Sequence, residues 1–199
     1  MKLKDYKIIF IAVALVGVLL IASYAIAGAI RAPPGEQFSE LYLLGPEQMA
    51  QNYPSNIAVG QNYSVYLDVG NHLGSTADYV LYVKLANATD QLPNTTTGTP
   101  SPLQPLYENR FTLQDNAVWQ QLLSFKVTDA TTTPNTAQIN TLKINDQTIN
   151  IHKATSWNTN STKYPYQLFF ELWLYNQQTG QVEFNDRYVN LQLNLTKTS

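Results

Sequence analysis

From Tyr63 onward the chain is written in a period of two, and that alternation restricts its fold more than any other feature. Tyr63, Val65, Leu67 and Val69 alternate with mostly polar partners, Tyr79, Leu81, Val83 and Leu85 recur at the same spacing, and so do Leu123, Phe125 and Val127. Side chains two apart share one face of a strand, so each run describes a strand buried on one side. Leu142 and Ile144 lead through Asn145, Asp146 and Gln147 to Ile149 and Ile151, which reads as a hairpin whose turn residues accept turn geometry. In residues 168–175 the set Leu168, Phe170, Leu172 and Leu174 interleaves with Phe169, Glu171, Trp173 and Tyr175, so both faces are largely apolar and the strand is expected at the centre of a sheet. Val189, Leu191, Leu193 and Leu195 close the pattern.

Roughly eight such strands, with turn residues between them and no amphipathic helix of comparable strength, predict an all-β, two-layer antiparallel sandwich of immunoglobulin-like type. Residues 89–105 and 128–136, rich in Thr, Asn and Pro, interrupt the alternation and are expected to be exposed loops.

No charged side chain occurs between residues 8 and 30, a run long enough for a helix to cross the hydrocarbon core of a bilayer. Lys2, Lys4 and Lys7 precede it and only Arg31 follows closely, which places the N-terminus in the cytoplasm and the rest outside. The same segment also reads as a cleaved signal peptide, because Ala25 and Ala27 form a small-x-small site. Both readings export the remainder of the chain. The expected layout is a cytoplasmic N-terminus at 1–7, a transmembrane signal anchor at 8–30, a stiff spacer at 31–37 carrying Pro33, Pro34 and Gly35, and an extracytoplasmic sandwich at 38–199. The location is therefore a single-pass protein of the cell membrane, in contact with the lipid bilayer.

Chemistry is narrowed by what the chain lacks. Without cysteine there is no disulfide, thiolate metal cluster or thiol nucleophile. A net charge of -2 argues against nucleic acid as a partner. No glycine-rich phosphate loop and no nucleophile elbow occurs, and Glu171, Glu183 and Asp186 read as scattered strand and turn acids. The histidines are His72 and His152. A metal site uniting them with Asp68 or Asp78 is weighed against ordinary turn and surface roles, with Asn71 in left-handed geometry and the His72 imidazole bonded to backbone. The turn role is preferred, and no catalytic residue, cofactor or metal is assigned.

Five acceptor triplets for N-glycosylation occur, at Asn62, Asn87, Asn94, Asn160 and Asn194, with Asn87, Asn94 and Asn160 in expected loops. Tyr66, Tyr82, Trp173 and Tyr175 lie opposite the clearest apolar stripes, where they serve either a second buried layer or a partner surface.

The block Phe38-Ser39-Glu40-Leu41-Tyr42-Leu43-Leu44-Gly45-Pro46-Glu47, then Asn52 to Asn56, Val59-Gly60 and Val69-Gly70-Asn71-His72, resembles an archaeal membrane-anchored family of unknown function, the 1616 family. The resemblance continues through Asn116 to Trp119, Leu168 to Leu174 and Arg187-Tyr188. It implies an archaeal source and an exported sandwich with no established reaction.

These readings converge on a non-catalytic binding or scaffolding protein of the cell envelope. An envelope or membrane protein is the expected partner and a glycan an alternative ligand. The rival readings are a subunit of a polymeric surface structure, completed by strand donation, and an accessory subunit of a membrane enzyme complex.

Overall fold

The computed structural model describes residues 15–20, 23, 36–159 and 163–196. The chain forms two units, Met1–Glu36 and Gln37–Ser199. In the first, residues 15–20 and 23 are helical, and among the described residues no helix is long and apolar enough to cross a membrane. Most of the expected spanning segment at 8–30, and residues 31–35 of the spacer, lie outside the described residues.

Among the described residues the second unit holds ten strands: β1 (Phe38–Leu44), β2 (Asn56–Ile57), β3 (Tyr63–His72), β4 (Ala77–Asn87), β5 (Tyr107–Leu113), β6 (Val118–Thr132), β7 (Thr136–Ile144), β8 (Gln147–Ser156), β9 (Pro165–Asn176) and β10 (Gln181–Leu195). They form two five-stranded sheets, β1-β3-β6-β7-β8 and β2-β10-β9-β4-β5. Every pairing is antiparallel except the short one between β2 and β10. The all-β antiparallel architecture is the one the alternation predicts.

Each predicted stripe faces inward. Val65, Leu67 and Val69 of β3 and Leu123, Phe125 and Val127 of β6 meet Tyr79, Leu81, Val83 and Leu85 of β4 and Leu168, Phe170 and Leu172 of β9 in one buried cluster. Burying an aliphatic or aromatic side chain of this size is worth roughly 1.5–3 kcal/mol, so the sum over this cluster drives the two sheets together. Tyr79 stacks on Phe111 and Phe111 on Trp119, the latter pair with centroids 4.0 Å apart, closing one flank of the core.

β9 is central in its sheet, with β10 and β4 on either side. Its outward residues Phe169 and Glu171 are as buried as its inward ones, because the β4–β5 loop lies over that face. That segment, 89–105, is thus only partly the exposed loop expected: residues 94–99 are exposed, while Pro93 and Ser101 are buried.

Residues 128–136 correct the expectation of a loop. β6 runs on to Thr132 and β7 starts at Thr136, with register shifts around Asp129. The chain turns at 133–135, where Thr133 Oγ1 accepts from the N–H of Thr136 at 3.0 Å. β2 and β5 are likewise strands beyond those expected.

Candidate functional site

The outward face of β1, β3 and β6 is set by pairing register. Glu40 lies opposite Gly70 and Gly70 opposite Val118; Tyr42 opposite Asp68 and Asp68 opposite Gln120; Leu44 opposite Tyr66 and Tyr66 opposite Leu122; Phe38 opposite His72. Side chains directly across such pairs lie about 4.5–5.5 Å apart at Cβ, so these rows make one continuous surface. Val118 is 64% exposed, Tyr42 51%, Leu122 48% and Phe38 39%. Of the large apolar side chains exposed among the described residues of the second unit, only Met49 and Tyr175 lie elsewhere. Scattered exposed apolar residues are ordinary, whereas a contiguous group marks a contact surface.

Within this face Gly70 has a specific reason to lack a side chain. A Cβ there would sit 2.8 Å from Glu40 Oε2 and 3.3 Å from His72 Nε2. The bare backbone lets those two groups approach each other to 3.5 Å. His72 stacks on Phe38 with centroids 4.8 Å apart, and its Nδ1 lies 3.2 Å from Asn116 Oδ1. The Glu40 carboxylate beside Tyr42 raises that phenol's pKa, through hydrogen bonding first and through burial and charge after it. Asp68 holds Gln120 Nε2 at 3.1 Å on one oxygen, while its other oxygen is buried with no hydrogen-bond partner. The face therefore combines aromatic and aliphatic surface with two carboxylates.

Asn71 is not the left-handed turn residue the sequence suggests, because its φ is not positive; Gly74, at φ 75, takes the turn. Asn71 is a buried junction. Its Nδ2 donates to Ser75 O at 2.8 Å and Leu113 O at 3.0 Å, and its Oδ1 accepts from the N–H of Leu73 at 3.1 Å and the Tyr79 hydroxyl at 3.2 Å. With Tyr79 donating to Asn71, Ser39 Oγ donates to Tyr79 at 2.8 Å, and Asn185 Nδ2 donates to Ser39 at 2.9 Å. This chain of donors crosses from one sheet to the other. Burial first raises the Tyr79 pKa, with the Ser39 hydrogen bond working against it.

A second polar cluster lies under the β4–β5 loop. Lys84 Nζ is 2.8 Å from Glu171 Oε2 and donates to Ser101 O at 2.9 Å. Glu171 also accepts from Ser101 N–H at 2.8 Å and from Trp173 Nε1 at 3.0 Å. The ion pair thus binds both main-chain groups of one loop residue and straps the loop to the sheet. Sequence reasoning missed it, reading Glu171 as a scattered acid. The available signal was one charge within each of two stretches otherwise apolar on both faces, residues 79–86 and 168–174. Asp90 holds the loop's start: burial pushes its carboxyl up, but the Asn87 N–H and Lys153, 2.7 Å away, outweigh that and hold it below its usual value.

The other candidate residues do not join these clusters. His72 and His152 lie on β3 and β8 with β6 and β7 between them, roughly 14 Å apart by strand spacing alone. His152 is exposed at a register shift with φ 47. Among the described residues no three His, Asp or Glu side chains gather as metal ligands. Tyr82 and Trp173 contact edge to face at 5.4 Å on the outward side of the second sheet, with Tyr66 on the first.

Of the acceptor asparagines, Asn62 is exposed before β3, and Asn94 is exposed with its Oδ1 accepting from Thr96 and Thr97 N–H. Asn87 spends its amide nitrogen on Ala154 O at 3.0 Å. Asn194 uses both ends, donating to Asn56 Oδ1 at 2.9 Å and accepting from Tyr164 N–H at 3.0 Å. Asn160 lies outside the described residues.

A family model described as a domain of unknown function, DUF1616, matches residues 32–142. The match covers β1 to β6 and most of β7, and so takes in Asn71, His72 and the whole exposed face, but not the resemblance at 168–174 or 187–188. A search of curated proteins finds no match. Similar solved structures include a β-glucosidase from Listeria innocua, at 10% identity and TM-score 0.42, covering 82% of this chain and 17% of that one. The CARDB domain of a Pyrococcus furiosus protein is similar at 11% identity and TM-score 0.39, covering 80% and 97%. A chain of the human zinc 2-glycoprotein and prolactin inducible protein complex is similar at 7% identity and TM-score 0.39, covering 83% and 100%. The chain spans less than a fifth of the β-glucosidase's length, and none of these likenesses speaks to activity.

Proposed function

The chain belongs to the DUF1616 family, and from that premise we propose that it is a non-catalytic, membrane-anchored binding or scaffolding protein of the cell envelope, with its sandwich outside the cytoplasm. The observation that carries the reading is the exposed face of β1, β3 and β6, where Phe38, Tyr42, Val118 and Leu122 come together on strands inside the family match. A docked protein surface removes such side chains from water, each contributing on the order of 1–2 kcal/mol when well packed. The export half of the reading rests on the uncharged run at 8–30 and its flanking lysines.

Cross-linked native membranes, with the intact chain as bait, test the docking. A reproducible set of membrane or envelope proteins is the expected catch. Val118→Asp combined with Leu122→Asp places two charges on the face without touching the core, and is expected to reduce recovery at least about tenfold while the thermal midpoint stays within a few degrees. Equal recovery by this variant overturns the assignment of the face.

Glycosylation belongs to the same reading. Asn62 and Asn94 are expected to carry glycan, and Asn87 and Asn194 to stay bare, because modification of their amide nitrogens breaks bonds that tie strands together. Glycopeptide mapping of the native protein decides this; glycan at Asn194 in folded material contradicts the geometry.

A further inference from the structure

β10 has two unlike edges. On one side it pairs with β9 from Gln181 to Asn194. On the other, β2 covers only Asn194 and Leu195, with Asn194 N–H donating to Ser55 O at 2.7 Å. In an antiparallel pair the N–H and C=O of a residue point to the same side and the side alternates along the strand. Tyr188, Asn190 and Gln192 share the phase of Asn194, so their main-chain groups point away from β9. Among the described residues none of those groups has a main-chain partner on that side. Before β2 the approaching chain turns at Asn52, whose φ is 57.

Beside this bare edge runs a cleft of about 690 Å³, lined by Leu41, Leu43, Tyr53, Val189 and Leu191 among others. Its far wall is β1, the corresponding edge of the other sheet. That edge is blunted by side chains: Arg187 Nε donates to Ser39 O at 3.2 Å, and the Tyr53 hydroxyl to Leu43 O at 2.7 Å. Among the described residues no side chain caps the edge of β10 at 188–192 in this way. The sandwich is therefore open along one flank, with unpaired main chain on one wall and an apolar floor between the sheets.

We propose that this cleft takes an extended segment of a partner protein, which adds to β10 alongside residues 188–192 and sends alternate apolar side chains between the sheets. The occupant's chemistry follows from the wall. Donors and acceptors recurring every two residues, about 6.8 Å, are matched by a polypeptide in extended form. The floor selects apolar side chains at every second position of that segment. The proposal is independent of the exposed face of β1, β3 and β6, and either can fail without the other.

The test uses the full chain in detergent micelles and a short soluble peptide of alternating valine and threonine ending in lysines. A twin peptide carries N-methyl groups on alternate residues, which removes the donors on one edge. Amide hydrogen exchange is read at Asn190 and Gln192. The unmodified peptide is expected to slow both by about tenfold or more and the twin to leave them unchanged. Asn190→Pro removes one outward donor at an edge position that tolerates proline, so its affinity for the peptide is expected to fall at least about tenfold, while Asn190→Thr retains it. Failure of the unmodified peptide to protect these amides, equal protection by both peptides, or undiminished binding by Asn190→Pro each overturns the proposal.

Discussion

Glu171→Leu alone is expected to destabilise the sandwich by about 3–5 kcal/mol, while the double change Lys84→Met with Glu171→Leu recovers most of that loss. The asymmetry arises from what each change leaves behind. Glu171 is fully buried and receives three donors, from Lys84, Ser101 and Trp173. Removing it strands the Lys84 ammonium in a buried site with the Ser101 carbonyl as its acceptor and the Trp173 ring 6.0 Å away. An uncompensated buried charge is costly, whereas two apolar side chains of similar volume are often neutral. The loop loses its strap in both variants, so residues 94–99 are expected to be cut faster by protease even where global stability returns. Urea unfolding of the single and double variants measures the cycle. A Glu171→Leu loss under about 1 kcal/mol refutes the role given to the pair. Because domains are stable by only about 5–15 kcal/mol, the single variant is expected to be visibly less abundant as well.

How much of the molecule is legible in the sequence differs by element, for physical reasons. β3 and β10 declare themselves because each has one face against the core and the period of two records that face, and β4 and β9 because their middles are apolar on both faces. The far half of β6 does not: its pairing shifts register around Asp129 and only Ala130 packs against the core there, so Thr128, Asp129, Thr131 and Thr132 record no apolar period. β2 is two residues long, too short for any period. β5 carries the pattern in Tyr107, Phe111 and Leu113, but as an edge strand it is short, its outward Glu108 and Arg110 are charged, and its inward Tyr107 and Phe111 are only half-buried. The exposed face is half legible. Tyr66 stands out in the sequence as opposite a stripe, yet Tyr42, Val118 and Leu122 join it only through strand register between distant parts of the chain. The open edge of β10 is a property of what fails to pair with it, which no stretch of sequence records.

Asn71 separates a turn residue from a buried junction, and three substitutions there give different outcomes under the two roles. As a turn residue in left-handed geometry it would tolerate glycine. As the junction, Asn71→Gly or Asn71→Ala leaves the carbonyls of Ser75 and Leu113 and the N–H of Leu73 without their partner, and is expected to cost about 2–4 kcal/mol. Asn71→Asp is the sharper probe, because the carboxyl keeps an acceptor for Leu73 and Tyr79 but faces two carbonyls where the amide donated. Burial and those carbonyl dipoles both favour the neutral acid, so its folded pKa is raised above the unfolded value near 4. The protonated acid supplies a donor that the carboxylate lacks. The variant's stability is therefore greatest below the unfolded pKa and is lost as pH rises through the folded one, so it is expected to melt higher at about pH 4 than at pH 7 relative to the native chain at the same pH. Melting curves of both proteins at the two pH values read this directly. A difference between them that does not change with pH places Asn71 outside the polar network and leaves it a turn residue.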